Sequence, residues 1–517
     1  MNYLEVSKYS DLDDPRERKI YRLLEIFPGL LAWITLGFVF LGSFLWPVFM
    51  AVFIIAFDVY WLIKIGFLAL HLNASFKKVR KNMKIDWQNE LKKLQATSYK
   101  RQVNWREIYH LVILPFYKED EKLVRHTLEA IKNSNYPKDK FIVVLAGEER
   151  AGEDALNICR QMEKEYKDLF FKFIYTIHPK DIAGDLPGKG SNIHYAGKKV
   201  RQEVIDALKI PYENILVSAF DVDTVAGKEY FGILTHKFLT TPNNLHASYQ
   251  PIPMYVNNIY EAPSFARVVA FSATFFHMLQ QERQERLITF SSHSMPFKAL
   301  ADVGFWQRNM VSEDSRIFWQ CFLRYDGDYR TESLYYTVNM DSNVAPTLWQ
   351  TMKNVYKQQR RWAWGIENIP YFLFGFLKRG KFIPRFRKWY LGFSVAEGHW
   401  AWSTNSLIVF LLGWLPVIVG GPEFNKAVLS FNLPFITRNL ITIGMISIVS
   451  EAFLSFLFLP PRPPNYGRFK TLWLALQWLL LPVTLNVFGA IPALEAQTRL
   501  ILKKYLGFWV TPKYRRE

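Results

Sequence analysis

The sequence predicts an α/β domain with a mainly parallel sheet, carried by a bundle of membrane helices. Three observations support this. Residues 27–72 hold only two charges, Asp58 and Lys64, and that apolar length suits two crossings of about 20 residues each. From residue 109 onward, short apolar runs alternate with amphipathic stretches, the rhythm of βαβ units with right-handed crossovers. After residue 400 the long apolar runs return. Composition agrees. Half of the 517 residues are hydrophobic, 16% are aromatic and only 21% are charged, a mixture that fits a soluble domain fused to membrane helices better than one soluble globule. The net charge is +18. Its basic clusters flank the apolar spans, so they read as cytoplasmic loops beside anionic lipid and not as a nucleic-acid surface. Cys159 and Cys321 are the only cysteines. No disulfide framework or Cys-rich zinc site is possible, and a reducing compartment is compatible.

In chain order, residues 1–26 are polar and mixed in charge, with Arg16, Arg18, Lys19 and Arg22 near the membrane; the length of this region and the lack of a small-residue cleavage site argue against a signal peptide. Residues 27–72 form a transmembrane hairpin turning near Trp46-Pro47. Asp58 and Lys64 are six positions apart and read as interfacial or in-bundle residues. Lys77, Lys78, Arg80, Lys81 and Lys84 follow and place both hairpin ends in the cytoplasm by the positive-inside rule. Residues 75–385 are therefore expected as a cytoplasmic domain. Its predicted strands are 109–115, 141–145, 170–176, 214–224 and 328–338. Its predicted helices are 120–134, 152–166, 191–208, 264–285, 316–324 (with Ser312 as N-cap) and 346–362. Residues 369–377 are short and aromatic, with Lys378 and Arg379 after them, and are expected to lie on the membrane surface. Residues 402–419, 441–460 and 472–490 are further spans. A basic tail, 507–517, ends in Lys513, Arg515 and Arg516 and is expected in the cytoplasm. Five spans do not return the tail to the starting side, so a sixth crossing comes from either 491–506 or 390–399. The chain is thus expected to be multi-pass in a cell (plasma or inner) membrane.

Strand 214–224 is the functional focus. Its apolar run Ile215, Leu216, Val217 reads as buried on both faces and stops at Asp221-Val222-Asp223. Ligands of open α/β sheets gather beyond the carboxyl ends of the strands. Two carboxylates there suit Mg²⁺ or Mn²⁺ carrying a diphosphate. Asp11-Leu12-Asp13 and Asp326-Gly327-Asp328 share the spacing but look like solvated turns; only context separates them. Lys189, in Pro187-Gly188-Lys189-Gly190, could reach phosphate. Glu313-Asp314 could favour a helix start through the dipole, or take a proton from an attacking hydroxyl. Arg361 could hold a diphosphate by bidentate contacts, and Trp362 offers a stacking face; a membrane-surface anchor is the plainer reading of that pair.

Together, Asp221-x-Asp223, Glu313-Asp314 and Gln358-x-x-Arg361-Trp362 resemble the family-2 membrane glycosyltransferases, which include cellulose, hyaluronan and mannan synthases. The resemblance covers nearly the whole chain and implies a GT-A catalytic domain between N-terminal and C-terminal membrane helices. Pro115-Phe116-Tyr117-Lys118-Glu119 resembles the family's Pro-x-Tyr-x-Glu beside the nucleotide, and Lys189 its Gly-Lys loop. The resemblance implies that Asp221 and Asp223 hold the metal and diphosphate, that Asp314 is the general base, and that Gln358, Arg361 and Trp362 line the diphosphate and acceptor entrance. Phe508-Trp509-Val510-Thr511-Pro512-Lys513 is similar to the tails of such synthases. One departure stands out: where the family has an Asp after its second strand, this chain has Glu148-Glu149, either of which could contact the base of a UDP- or GDP-sugar. His293, in Ser291-Ser292-His293-Ser294, sits in the family's acceptor loop, as a metal or sugar ligand or as a structural residue. The implied activity is inverting, processive transfer to a growing β-glycan. Transfer of one sugar onto a polyprenyl phosphate is the alternative enzyme reading, and a membrane scaffold or transporter with a degenerate nucleotide-binding domain is the non-enzymatic one.

Overall fold

A computed structural model describes residues 3–97, 104–464 and 466–515. Arg516, read as part of the basic tail, lies outside these residues. One sheet of eight strands organises the central domain. In chain order the strands are β1 Tyr109–Pro115, β2 Phe141–Glu148, β3 Lys172–His178, β4 Ile215–Ala219, β5 Val225–Ala226, β6 Ala247–Met254, β7 Ser294–Pro296 and β8 Arg330–Asn339. Their spatial order is β3-β2-β1-β4-β7-β6-β8-β5.

The half from β3 to β4 is parallel throughout. Of its strands, β2, β1 and β4 are apolar and buried on both faces, as parallel strands covered by helices must be, while the edge strand β3 is only partly buried. In the other half β7 runs antiparallel to β4 and β6, and β5 runs antiparallel to β8, while β6 and β8 are parallel. The expectation of a mainly parallel sheet is therefore corrected to a mixed one. β7 is only 3 residues long, too short for an apolar period to announce it.

The helices obey their caps. Asp120 accepts the Leu123 amide at 2.8 Å and opens the helix Glu121–Lys132. Asp14 caps the helix Pro15–Leu45 through the Arg16 amide. That helix stops at Trp46, and Pro47 begins the next, Pro47–Asn82, because proline at a first helical position loses no hydrogen bond. One expected cap is corrected: the Ser312 side chain does not cap Glu313–Arg324. Its hydroxyl donates instead to Glu367 Oε1 at 2.7 Å.

Among the described residues three helices are long and apolar enough to cross a membrane: Pro15–Leu45, Pro47–Asn82 and Phe469–Ile501. Arg385–Phe410 and Leu412–Val419, bent by 45°, add a fourth if taken together. This is fewer than the five spans read from the sequence. The apolar stretch 441–460 is divided at Met445 between Val428–Gly444 and Ile446–Phe458. The stretch expected on the membrane surface is the helix Asn368–Arg379, and it buries Ile369, Tyr371, Phe372 and Phe374. Phe372 stacks on Trp319 of Glu313–Arg324 with ring centroids 4.2 Å apart, so its aromatic face serves the protein core and not lipid.

Candidate active site

β4 ends at Ala219, and the chain turns at once to present Asp221 and Asp223. Lys189 is the first residue of the helix Lys189–Val200, whose Ile193, Ala196 and Val200 pack against the sheet. Its ammonium sits 2.7 Å from Asp221 Oδ1, 3.0 Å from both oxygens of Asp314 and 4.0 Å from Glu313 Oε1. One buried cation thus ties the end of β4 to the start of Glu313–Arg324. Burial works against the Lys189 charge, but Asp221, Asp314 and Glu313 together hold its pKa above the usual ammonium range. Burial likewise pushes the Asp221 carboxyl up, yet Lys189 beside it brings it below the usual carboxylate range. Ser291 Oγ donates to the other Asp221 oxygen at 2.8 Å.

Asp223 has different partners. It is fully buried, and its Oδ2 accepts the Asp341 amide at 2.9 Å and the Lys513 ammonium. Burial is the main cause that raises its carboxyl, opposed by Lys513 and reinforced by Asp341 and Asp221. Asp223 Oδ1 is buried and has no hydrogen-bond partner. That orphaned oxygen, with Asp221 one residue away, is a hard-oxygen donor set that fits a divalent cation whose remaining ligands come from a diphosphate. Among the described residues no cluster of three or more His, Cys, Asp or Glu could hold a metal by itself, so the protein alone supplies an incomplete shell.

A single cavity of about 1400 Å³ is lined by Pro115, Tyr117, Glu119, Glu148, Lys189, Asp221, Asp223, Glu313, Asp314, Gln358, Arg361 and Trp362. Every site residue expected from the sequence is in that set except Glu149. Glu149 instead accepts the Lys180 amide at 2.9 Å, while the Glu148 carboxylate is held by Arg150, whose guanidinium lies 4.3 Å from the Tyr117 ring centre. Of the two glutamates left open by the sequence, Glu148 is the one at the cavity. Glu119 turns back on its own loop and accepts the Tyr117 amide at 2.7 Å and the Lys118 amide at 3.1 Å; burial raises its carboxyl.

Arg361 and Trp362 lie on the helix Leu348–Ala363. Arg361 Nε is buried without a partner, and the Trp362 ring centre is 5.7 Å from that of Tyr255. His293 is buried; its Nδ1 meets Phe290 O at 2.9 Å and its Nε2 receives the Trp306 indole at 3.4 Å. With burial holding its pKa below the usual imidazole value, it braces the pocket 3.8 Å from Asp314 Oδ1.

The sequence reading placed Lys513 in a basic tail and in a run similar to synthase tails, but gave it no place in the site. In the structure residues 504–515 cross the cavity without helix or strand. Phe508 lies so close to Gly188 that a Cβ there would sit 2.4 Å from its ring, and it carries Arg361 over its face at 5.1 Å. Arg515 grips Asp341 at 2.6 and 3.0 Å.

Away from the carboxylates the cavity continues among the long apolar helices. There it is lined by Trp61, Ile65, Leu68, Leu72, Trp402 and Leu485, and it holds the Lys64–Glu397 ion pair, 2.8 Å long. The pairing accounts for a lysine within an apolar span.

No protein-family model matches the chain, and no curated protein matches it in sequence. Among solved structures it is similar to the mannosyltransferase PcManGT from Pyrobaculum calidifontis in complex with GDP-Man and Mn²⁺, at 14% identity over 85% of this chain and 99% of that one, with a TM-score of 0.41. It is also similar to residues 1–349 of TarS from S. aureus, at 14% identity over 68% of this chain and 92% of that one, with a TM-score of 0.30. The same TarS fragment in complex with UDP-GlcNAc gives a TM-score of 0.31, at 14% identity over 68% of this chain and 92% of that one.

Proposed function

We propose that the chain is a membrane-bound hexosyltransferase that moves a sugar, with inversion, from a UDP- or GDP-sugar to the hydroxyl of a growing β-linked glycan. One observation carries the reading. Asp221, Asp223, Asp314, Lys189 and Arg361, from four separate elements, line one cavity that opens onto the membrane helices.

Each residue then has a task. Glu148 accepts from the nucleobase, and Tyr117 flanks it. Asp221 and Asp223 supply the carboxylates for Mg²⁺ or Mn²⁺, which when bound would neutralise charge on the leaving diphosphate. Lys189, which Asp221 and Asp314 share in the structure, turns to the diphosphate when donor enters and frees Asp314. Asp314 then takes the acceptor's proton as its oxygen attacks the anomeric carbon. The anomeric C–O bond breaks with its electron pair going to the diphosphate, and Arg361 stabilises the charge that develops there. Trp362 gives the acceptor sugar a flat face.

A second reading, transfer of one sugar to a lipid-linked acceptor, is favoured by the aliphatic lining at Ile65, Leu68, Leu72 and Leu485. Membranes containing the protein, incubated with labelled sugar nucleotides and Mn²⁺, distinguish the two by product size. A polymer supports the first reading, and one sugar extracted with lipid supports the second. Neither product from any donor, with no Mn²⁺-dependent nucleotide binding that Asp223→Ala abolishes, would leave the non-enzymatic scaffold.

A further inference from the structure

We infer that residues 3–12 form a strap that positions the helix Glu313–Arg324, and hence Asp314, with Arg316 as its anchor; the catalytic half of this inference rests on Asp314 being the base proposed above. The sequence gives no hint of it, since the segment is polar and mixed in charge. In the structure it is docked behind the site. Three successive backbone carbonyls each accept a hydrogen bond from a different element: Leu4 O from the Tyr371 hydroxyl at 3.1 Å, Glu5 O from Gln307 Nε2 at 2.9 Å and Val6 O from Arg316 Nη1 at 3.0 Å. The Leu4 and Val6 side chains are buried, so the carbonyls are held in place by packing as well as by bonding.

Arg316 stands two residues after Asp314 and is fully buried. Besides Val6 O it bonds Gln307 Oε1 at 2.8 Å, Asn368 Oδ1 at 2.6 Å and Glu367 O at 3.2 Å, and it lies over the Tyr371 ring at 3.8 Å. A guanidinium has five N–H donors in a rigid fork, and here the fork is filled by three separate parts of the chain. Glu367 completes the clamp. Its Oε1 accepts the Ser312 amide at 3.1 Å and the Ser312 hydroxyl at 2.7 Å, and its Oε2 accepts the Trp364 indole at 2.9 Å. The Ser312 amide stands at the start of the Asp314 helix, where unpaired donors need a partner. Glu367 and Asn368 follow the helix that bears Arg361 and Trp362, so the clamp sets the spacing between the base and the diphosphate-facing side.

The strap also reaches the membrane. The Tyr9 amide donates to Glu25 Oε1 at 3.1 Å, and the Tyr21 hydroxyl donates to Ser7 O at 3.4 Å; Glu25 and Tyr21 belong to Pro15–Leu45. A tilt of that helix therefore pulls on the carbonyls that hold Arg316. Reacting groups displaced by about 1 Å can lose on the order of 100-fold in rate.

The test compares the full chain in detergent with two variants: one lacking residues 2–8, and the milder pair Tyr371→Phe with Gln307→Glu, which keeps the segment and the oxygen that Arg316 bonds but removes two of the strap's three bonds. Hydrogen exchange is followed in Glu313–Arg324 and in β1 and β4. Binding of a nucleoside diphosphate with Mn²⁺ and, where transfer is found, kcat are measured alongside. The strap predicts faster exchange confined to Glu313–Arg324, a kcat loss on the order of 10- to 100-fold, and nucleotide binding changed by less than about twofold, since a merely destabilised domain would lose both together. If the truncated chain does not fold, the double variant is read by the same criteria. Unchanged exchange in that helix, or nucleotide binding that falls in step with kcat, overturns the proposal. If the unaltered chain transfers no sugar at all, the proposed function fails while the exchange data still decide whether the strap holds the helix.

Discussion

The two carboxylates at the end of β4 (Ile215–Ala219) are neutralised by lysines of opposite character. Asp221 is paired with Lys189, which opens a helix packed against the parallel strands. Asp223 is paired with Lys513, which arrives on a segment without helix or strand, from the far end of the chain. A buried carboxylate needs a counter-charge, because leaving it unpaired in a low-dielectric site is costly. The first counter-charge is built into the fold. The second is held by the Arg515–Asp341 pair, by Phe508 against Gly188 and by Lys357 over the Trp509 ring at 5.3 Å, none of which is part of the sheet. The difference teaches that the two carboxylates are neutralised from different sources, Asp221 by a lysine on a helix packed against the sheet and Asp223 by a lysine carried on the tail.

The largest expected effect lies on the base itself. Asp314→Asn keeps the shape but cannot take a proton, and it should lower kcat by roughly 10²- to 10⁴-fold while nucleoside diphosphate still binds with Mn²⁺. A transfer assay beside a binding titration checks this, and loss of binding to the same extent as rate would reassign Asp314 to holding the diphosphate. Next come the two lysines. Lys189→Met takes the shared cation from Asp221 and Asp314, which are 31% and 22% exposed, and should cost roughly 2–3 kcal/mol of stability, less than breaking a fully buried pair. Lys513→Met leaves the fully buried Asp223 without its cation and should cost less, about 1–2 kcal/mol, because the tail can lift and admit water. Unfolding midpoints in detergent give the ranking, and equal losses would show that both lysines belong to the core. Metal removal sharpens the same contrast. Chelation should abolish nucleotide binding in the unaltered chain, and Lys513→Met should lower the Mn²⁺ concentration needed for half-saturation, since the competing ammonium is gone.

β1, β2 and β4 were legible because each is a short apolar run, buried on both faces, closed by a turn or a cap. β1 (Tyr109–Pro115) was read to the residue for that reason. The second half of the sheet was not legible in this way. The pairing of Ser294–Pro296 is imposed by β4 and by Ala247–Met254, not by its own three residues. Local chemistry misled at Ser312, whose hydroxyl is better satisfied by the buried Glu367 carboxylate than by its own helix. The choice between Glu148 and Glu149 was open because a slip of one residue at a strand end reverses the face presented. Leu4 and Val6 could not be found by periodicity, since two apolar residues among polar ones make no pattern; their partners Arg316 and Tyr371 lie more than 300 positions away. The motif residues came together because each closes an element that pattern alone locates. What joins them, Lys513 and Arg316, depends on contacts between chain ends and core.

The smallest expected effect separates the buried Glu313 from its partly exposed neighbour Asp314, the proposed base. Glu313 is 1% exposed, and its Oε2 has no partner. Burial first, and then the neighbouring Asp314, push its carboxyl from 4.5 up to about 8, with Lys189 opposing. Between these two values the folded chain binds a proton that the unfolded chain has released, so stability falls as pH rises through that window and is fully present only below 4.5. Glu313→Gln carries no such proton. Its stability relative to the unaltered chain should therefore improve steadily from pH 5 to pH 8, by at most about 1.4 kcal/mol per pH unit, read as a difference in urea midpoint at the two pH values. Asp314→Asn removes one of the charges that push Glu313 up, so it should flatten the same slope only in part. Parallel midpoints for Glu313→Gln and the unaltered chain across this range would mean that Glu313 stays ionised, and the contrast between the two acids would then rest on geometry alone.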